Sequence, residues 1–190
     1  MISKIRLLTV ILGVTVIACA IQIGPAPPPS PCQIESLLID QSLFHQDVYQ
    51  TGPATKSGAP MRFGINKIGI GFTSMTQGGA IQDVYEGRNL RETQAKFVEI
   101  VPYEFSPRED YTDWYIPATL HYQSNITDQF RYGCHRYVPS GVEICRAIAQ
   151  YGVYLIIFDA HVSDILTHRD IEKILQTIDT KAAQCLAGGK

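Results

Sequence analysis

Four groups of residues in this chain have types and spacings that bear on chemistry. The first lies between positions 103 and 122, where six of the eighteen aromatics (Tyr103, Phe105, Tyr111, Trp114, Tyr115, Tyr122) mix with Glu104, Arg108, Glu109, Asp110 and Asp113. Rings that stack on apolar faces, beside acids that take hydroxyl or ammonium groups, suit a sugar or peptide cleft. Tyr103, Tyr111, Asp113, Trp114 and Tyr115 are therefore the candidate ligand-binding residues. The competing reading is a long loop pinned to a sheet by its rings. The same acids would serve a hydrolase if two faced each other across a cleft about 5–10 Å wide.

The second group is the histidines, His45, His121, His135, His161 and His168. They are scattered and show no H-E-x-x-H or other ligand spacing. His161, with Asp159 and Asp164 nearby, is the closest approach to a polar cluster. The third is the serines, which show no G-x-S-x-G elbow. Gly64 to Gly71 lacks G-x-G-x-x-G and runs through an expected strand, so no phosphate cradle is expected. Gly69 and Gly71 are expected to flatten one sheet face for a helix to approach. No catalytic residue, metal or cofactor is assigned.

The fourth group is the cysteines, whose meaning depends on the N-terminus. Lys4 and Arg6 precede an apolar run from Leu7 to Ala18, of signal-peptide length, that ends in Val16-Ile17-Ala18-Cys19. This resembles the lipobox of bacterial lipoproteins, and the resemblance implies cleavage after Ala18 and lipidation of Cys19. An uncleaved anchor helix over 7–23 and a soluble exported chain cut elsewhere remain open. Seventeen residues is at the short limit for crossing about 30 Å of hydrocarbon. All three readings place the domain outside the cytoplasm. Residues 24–31 hold five of the eleven prolines, a stiff extended spacer. The expected organisation is a signal peptide (1–18), a lipidated cysteine and proline tether (19–31), and one domain (32–190).

Export leaves Cys32, Cys134, Cys145 and Cys185 as two expected disulfides. Two strands around Val138-Pro139-Ser140-Gly141, with Pro139 and Ser140 as the loop, set Cys134 opposite Cys145. Cys32 would then join Cys185 and clamp the two ends. Cys32 with Cys134 and Cys145 with Cys185 is the competing scheme. No pair has the short C-x-x-C spacing usual in zinc sites.

The clearest helix begins at Thr167. An N-cap hydroxyl with Asp170 three residues on is followed by Ile171, Ile174, Leu175, Ile178, Ala182, Cys185 and Leu186 on one stripe, and Gly188 supplies a stop. A second helix is expected over 90–101, with Asn89 as N-cap and Pro102 as terminator. Strands are expected at 67–75, 80–86, 119–123, 129–137 and 142–150. The apolar run 153–158 reads as a central strand buried on both faces. Residues 33–40 add a short helix. The fold class is α+β, an antiparallel β-sheet with a long C-terminal helix and a second helix packed on one face, braced by two disulfides.

Ile81-Gln82-Asp83-Val84-Tyr85 leading into the Leu90 helix, and Cys134 with Cys145-Arg146-Ala147-Ile148 before the strand to Phe158, carry a family likeness. In them the chain resembles the extracytoplasmic sensor domains of mycobacterial serine/threonine kinases. More distantly it resembles the extrinsic P protein of photosystem II and its bacterial lipoprotein relatives. The likeness implies ligand or partner sensing in a cleft, with no catalytic residues to carry over, and the kinase-sensor likeness implies the competing disulfide scheme.

Composition sets the outer bounds. With 190 residues, 45% hydrophobic and 18% charged, and a net charge of −2, the chain is neither a multi-pass membrane protein nor disordered. Losing residues 1–18 removes Lys4 and Arg6 and takes the charge to −4, the wrong sign for nucleic acid. The expected partners are a membrane, through the lipid anchor, and a protein or small-molecule ligand.

Overall fold

The computed structural model describes residues 32–56, 64, 66–75 and 78–188. The signal peptide, Cys19 and the proline tether lie outside them. No helix among the described residues is long and apolar enough to cross a membrane.

Among the described residues seven strands form one antiparallel sheet: β1 (Val48–Gln50), β2 (Thr55–Lys56), β3 (Asn66–Ser74), β4 (Gly79–Glu86), β5 (Gln129–Arg136), β6 (Glu143–Tyr151) and β7 (Tyr154–Val162). Their order is β1-β3-β4-β7-β6-β5, with β2 also on β3. Helix α1 (Leu90–Glu104) connects β4 to the β5 end, and α2 (His168–Ala187) closes the chain. A short 3-10 turn at Ile34–Leu37 occupies the region 33–40 expected to hold a helix, and a second follows at Gln41–Leu43. Strands β1 and β2 have no counterpart in the sequence reading, being too short to show a period.

Strand β7 is central, and Tyr154 to Phe158 are all buried, as a strand covered on both sides requires. Alternation sorts its side chains. Tyr154, Ile156, Phe158 and Ala160 join the core under α2, whereas Leu155 and Ile157 pack with Ile148 and with Phe97 of α1. The two helices therefore lie on opposite faces of the sheet. They do not share one, because a β7 that is apolar on both faces needs cover on both.

Helix α2 starts on the expected capping box: Thr167 and Asp170 satisfy each other's backbone donors. It ends at Gly188, whose N–H donates to Gln184 O. Its stripe of Ile171, Ile174, Leu175, Ile178 and Ala182 is buried, each branched side chain contributing about 2 kcal/mol of burial. Buried Gln82 of β4 clips the N-terminal segment to the same core, accepting from Ile39 N–H at 2.7 Å and donating to Leu37 O at 3.0 Å.

Two local expectations are corrected. Helix α1 does not stop at Pro102 but runs two residues further, to Glu104. A proline there removes only the bond to Val98 O, on the exposed side of the last turn, and Phe105 N–H still reaches Val101 O at 3.0 Å. Residues 119–123 are not a strand. They lie along α2, where Tyr122 donates to Leu175 O and Ser124 and Tyr151 donate to Asp179. Tyr111 and Tyr115 make the contacts at the sheet's edge instead, as isolated bridges to Tyr137 and Cys134.

The hairpin register is as read from the sequence. Cys134 pairs with Cys145, and the backbone N–H and C=O of Cys134 are both spent on Tyr115 at 2.8 Å. The cysteines are thus a non-hydrogen-bonded pair across β5 and β6. Their Cα atoms are 4.0 Å apart and the disulfide is formed. Cys32 joins Cys185 with Cα atoms 5.2 Å apart, and Tyr154 hydroxyl donates to Cys32 O at 2.9 Å. The competing disulfide scheme, and with it that implication of the kinase-sensor likeness, does not hold.

Candidate functional site

The α1 face is only partly covered. The last turn of α1 is tied down by Arg146 of β6, whose guanidinium takes both oxygens of Asp159, at 3.0 Å to Oδ2, and also Glu104. Burial works against this charge, yet Asp159 and Glu104 outweigh it and hold Arg146 firmly protonated. The cation also sits at the C-terminal end of α1, which favours it.

Beyond Arg146 no helix among the described residues covers this face of the sheet. A cavity of about 530 Å³ opens there, lined by Thr51, Gly71, Thr73, Met75, Ile81, Asp159 and His161 among others. Ile81 is 56% and Met75 89% exposed, so part of the lining is apolar and in water. Polar groups stand at its margin: the Thr51 hydroxyl, Asp159, and His161 beside Gly78. Gly78 holds φ at +60°, and a Cβ there would meet His161 Cβ at 2.5 Å. Among the described residues no helix approaches Gly69 and Gly71, contrary to the expectation. A Cβ would meet the Asp83 carboxylate at 2.5 Å at the first and the Thr51 hydroxyl at 2.9 Å at the second. Asp83 also holds Lys67 at 2.9 Å; burial lowers the lysine pKa, but Asp83 and Tyr85 carry it above its ordinary value.

The residues proposed from the 103–122 cluster are not brought to one place. Trp114 and Tyr111 both stack on the ring of His135, at 3.8 and 4.4 Å between centroids. Phe105 lies 4.7 Å from Trp114, and Trp114 donates to Ser106 O. Tyr115 passes to the other face, where burial first and then the charge of Glu143 raise its hydroxyl pKa. Tyr103 is 73% exposed on α1, and Asp113 is exposed. The loop's rings pin it along β5. Its acids diverge: Glu104 is held by Arg146 and Arg108, and Glu109, Asp110 and Asp113 are exposed.

His135 itself is buried, with Nδ1 lacking a hydrogen-bond partner among the described residues. Burial first, then the charges of Arg108 and Arg146, push its pKa down to about 4.

On the α2 face, at the same end of the molecule, a second cluster escaped sequence reading. His168, the first residue of α2, meets Glu143 through Nε2 at 2.8 Å and the Thr119 hydroxyl through Nδ1 at 2.6 Å. Glu143 is also held by Arg136 at 3.1 Å. Burial raises the Glu143 pKa, but Arg136 and His168 overcome it and keep the carboxylate ionised below the usual range. The ligand atoms of Cys134, Glu143, Cys145 and His168 all lie within 4.8 Å of one another. No spacing signal joins positions 134–145 to 168. The hairpin and the start of α2 bring them together.

Both features lie at the end of the sheet opposite Cys32. Cys32 and Cys185 sit by Tyr154 at the start of β7, whereas His161 is seven residues further along that strand, roughly 20–25 Å away. Comparison with family models, curated proteins and solved structures finds no match, so the likeness to kinase sensor domains rests on the quoted motifs alone.

Proposed function

We propose that this protein is a lipid-anchored extracytoplasmic binding module of sensor-like type. It presents the uncovered part of the α1 face to a small amphiphilic ligand. The carrying observation is the 530 Å³ cavity with exposed Ile81 at its side. A concave site with an apolar wall and a few polar groups is what small-ligand binding uses. The apolar body would lie against Ile81 and Met75, and its polar head would meet Thr51, Thr73 and His161. The lipobox at Cys19 and the proline spacer support an anchor at the opposite end, which would leave the cavity facing away from the membrane.

Saturation-transfer NMR with octyl glucoside, octylamine and octanoate, each below its micelle concentration, tests the site. At least one probe should give transfer that Ile81→Lys removes and Tyr103→Ala leaves intact. Equal transfer from wild type and Ile81→Lys with all three probes, or none at all, overturns it. For the anchor, Cys19→Ala or globomycin should release the protein from the membrane fraction and change its processing; unchanged membrane retention and mobility would defeat the lipoprotein reading.

A further inference from the structure

We propose that Cys134, Cys145, His168 and Glu143 form a zinc site gated by the Cys134–Cys145 bridge. The site is closed when the disulfide is intact and able to bind the ion once the bridge is reduced. It lies on the other face of the sheet from the cavity and does not depend on the ligand reading.

The donor set is two sulfurs, one imidazole nitrogen and one carboxylate oxygen, a combination that suits tetrahedral zinc. With metal–ligand bonds of about 2.0–2.3 Å, the ligands of a tetrahedral ion stand roughly 3.3–3.8 Å apart. Here all four ligand atoms already fall within 4.8 Å of one another. The frame is rigid: the cysteines are directly opposed on β5 and β6, Glu143 is two residues before Cys145 on the same face, and His168 begins the capped helix α2.

The surroundings match what metal sites use to orient their ligands. Thr119 engages Nδ1 of His168, so the ring presents Nε2 to the cluster. Tyr132 hydroxyl lies 2.9 Å from Cys134 Sγ, placed to donate to a thiolate. Arg136 holds the Oε2 oxygen of Glu143, leaving Oε1, the oxygen now facing His168, to turn to the ion. Two thiolates and a carboxylate around Zn²⁺ leave one negative charge, which Arg136 faces.

The chemistry balances with a dithiol as reductant. It passes two electrons and two protons to the Cys134–Cys145 bond, closing to its own disulfide and leaving two cysteine thiols. Zinc then displaces the two thiol protons. Reoxidation by any disulfide reverses both steps and expels the ion.

The test uses the full chain in detergent, reduced with a phosphine, desalted without oxygen and titrated with cobalt(II). Phosphine reduction consumes one water and yields the phosphine oxide and two thiols. Reduced wild type should bind one cobalt with thiolate-to-metal charge transfer and the intense visible bands of a tetrahedral ion, and one zinc should bleach them. Oxidised protein should show neither. Cys32→Ser with Cys185→Ser should keep the signal, Cys134→Ser should lose it, and His168→Gln or Glu143→Gln should weaken binding by more than the roughly 10–100-fold that loss of an outer-shell partner costs. If reduction alone unfolds the chain, one equivalent of zinc should restore the near-ultraviolet circular dichroism of the fold. A reduced protein that gives no tetrahedral cobalt spectrum, a signal that survives in Cys134→Ser, or an unfolded reduced chain that zinc does not restore overturns the proposal.

Discussion

On the α2 side of the sheet, Ile171, Ile174, Leu175 and Ile178 lock into Ile156, Phe158 and the small side chains Ala147, Ala149 and Ala160, and the Cys32–Cys185 bond fastens the end of the helix. On the α1 side a smaller set, Phe97 with Ile148, Leu155 and Ile157, covers the sheet only as far as Arg146. Beyond it Ile81 and Gly71 line open space. The same seven strands thus carry one dry face that supplies most of the burial and one half-covered face with surface left for a ligand. Stability should therefore be concentrated on the α2 side and nearly insensitive to substitution of the exposed apolar side chains Ile81 and Met75 in the cavity.

The largest effect should come from the clamp. Cys32→Ala with Cys185→Ala frees a loop spanning 153 residues and should cost about 4 kcal/mol in urea unfolding. A loss under about 1 kcal/mol would mean that packing alone holds the α2 face. Next, Ile174→Ala, at a fully buried position, should cost about 3 kcal/mol.

The His135 stack on the α1 side should cost stability in acid. Its folded pKa, about 4, lies below the ordinary histidine value of 6.5, so between these values the unfolded chain binds the proton and the folded chain does not. Its contribution is fully present above about pH 6.5 and is lost as pH falls towards 4, on the order of 3 kcal/mol. His135→Phe, which keeps a ring against Trp114 and Tyr111, should remove that part of the pH dependence; an unchanged slope would show that His135 does not set it.

The smallest effect belongs to the cavity. Ile81→Lys should move unfolding by no more than about 0.5 kcal/mol while removing ligand transfer. If it cost as much as Ile174→Ala, the contrast between the faces would collapse.

Much of the dry face could be read from residue order. The capping box at Thr167 and Asp170, the stripe behind it and the doubly apolar run at 153–158 are local patterns with one satisfactory packing. The Cys134–Cys145 register follows from a two-residue loop. Pro102 was misleading because its cost depends on where in the helix it falls. Residues 119–123 alternate like a strand, but β5 already has Tyr111 and Tyr115 at its edge, and side-chain bonds to α2 hold this segment instead. The aromatic cluster announced itself as a cleft, yet its rings divide between two faces of one strand.

The order of residues by itself determined the elements, the hairpin register and the antiparallel α+β class, because turns, caps and hydrophobic periods act over a few neighbouring positions. Only the tertiary structure decided that the helices take opposite faces, that α1 ends at Arg146 and leaves Ile81 bare, and that His168 lands on Glu143 beside the Cys134–Cys145 pair. Those outcomes depend on which surfaces meet across 25 to 65 residues of chain, and no local spacing records that.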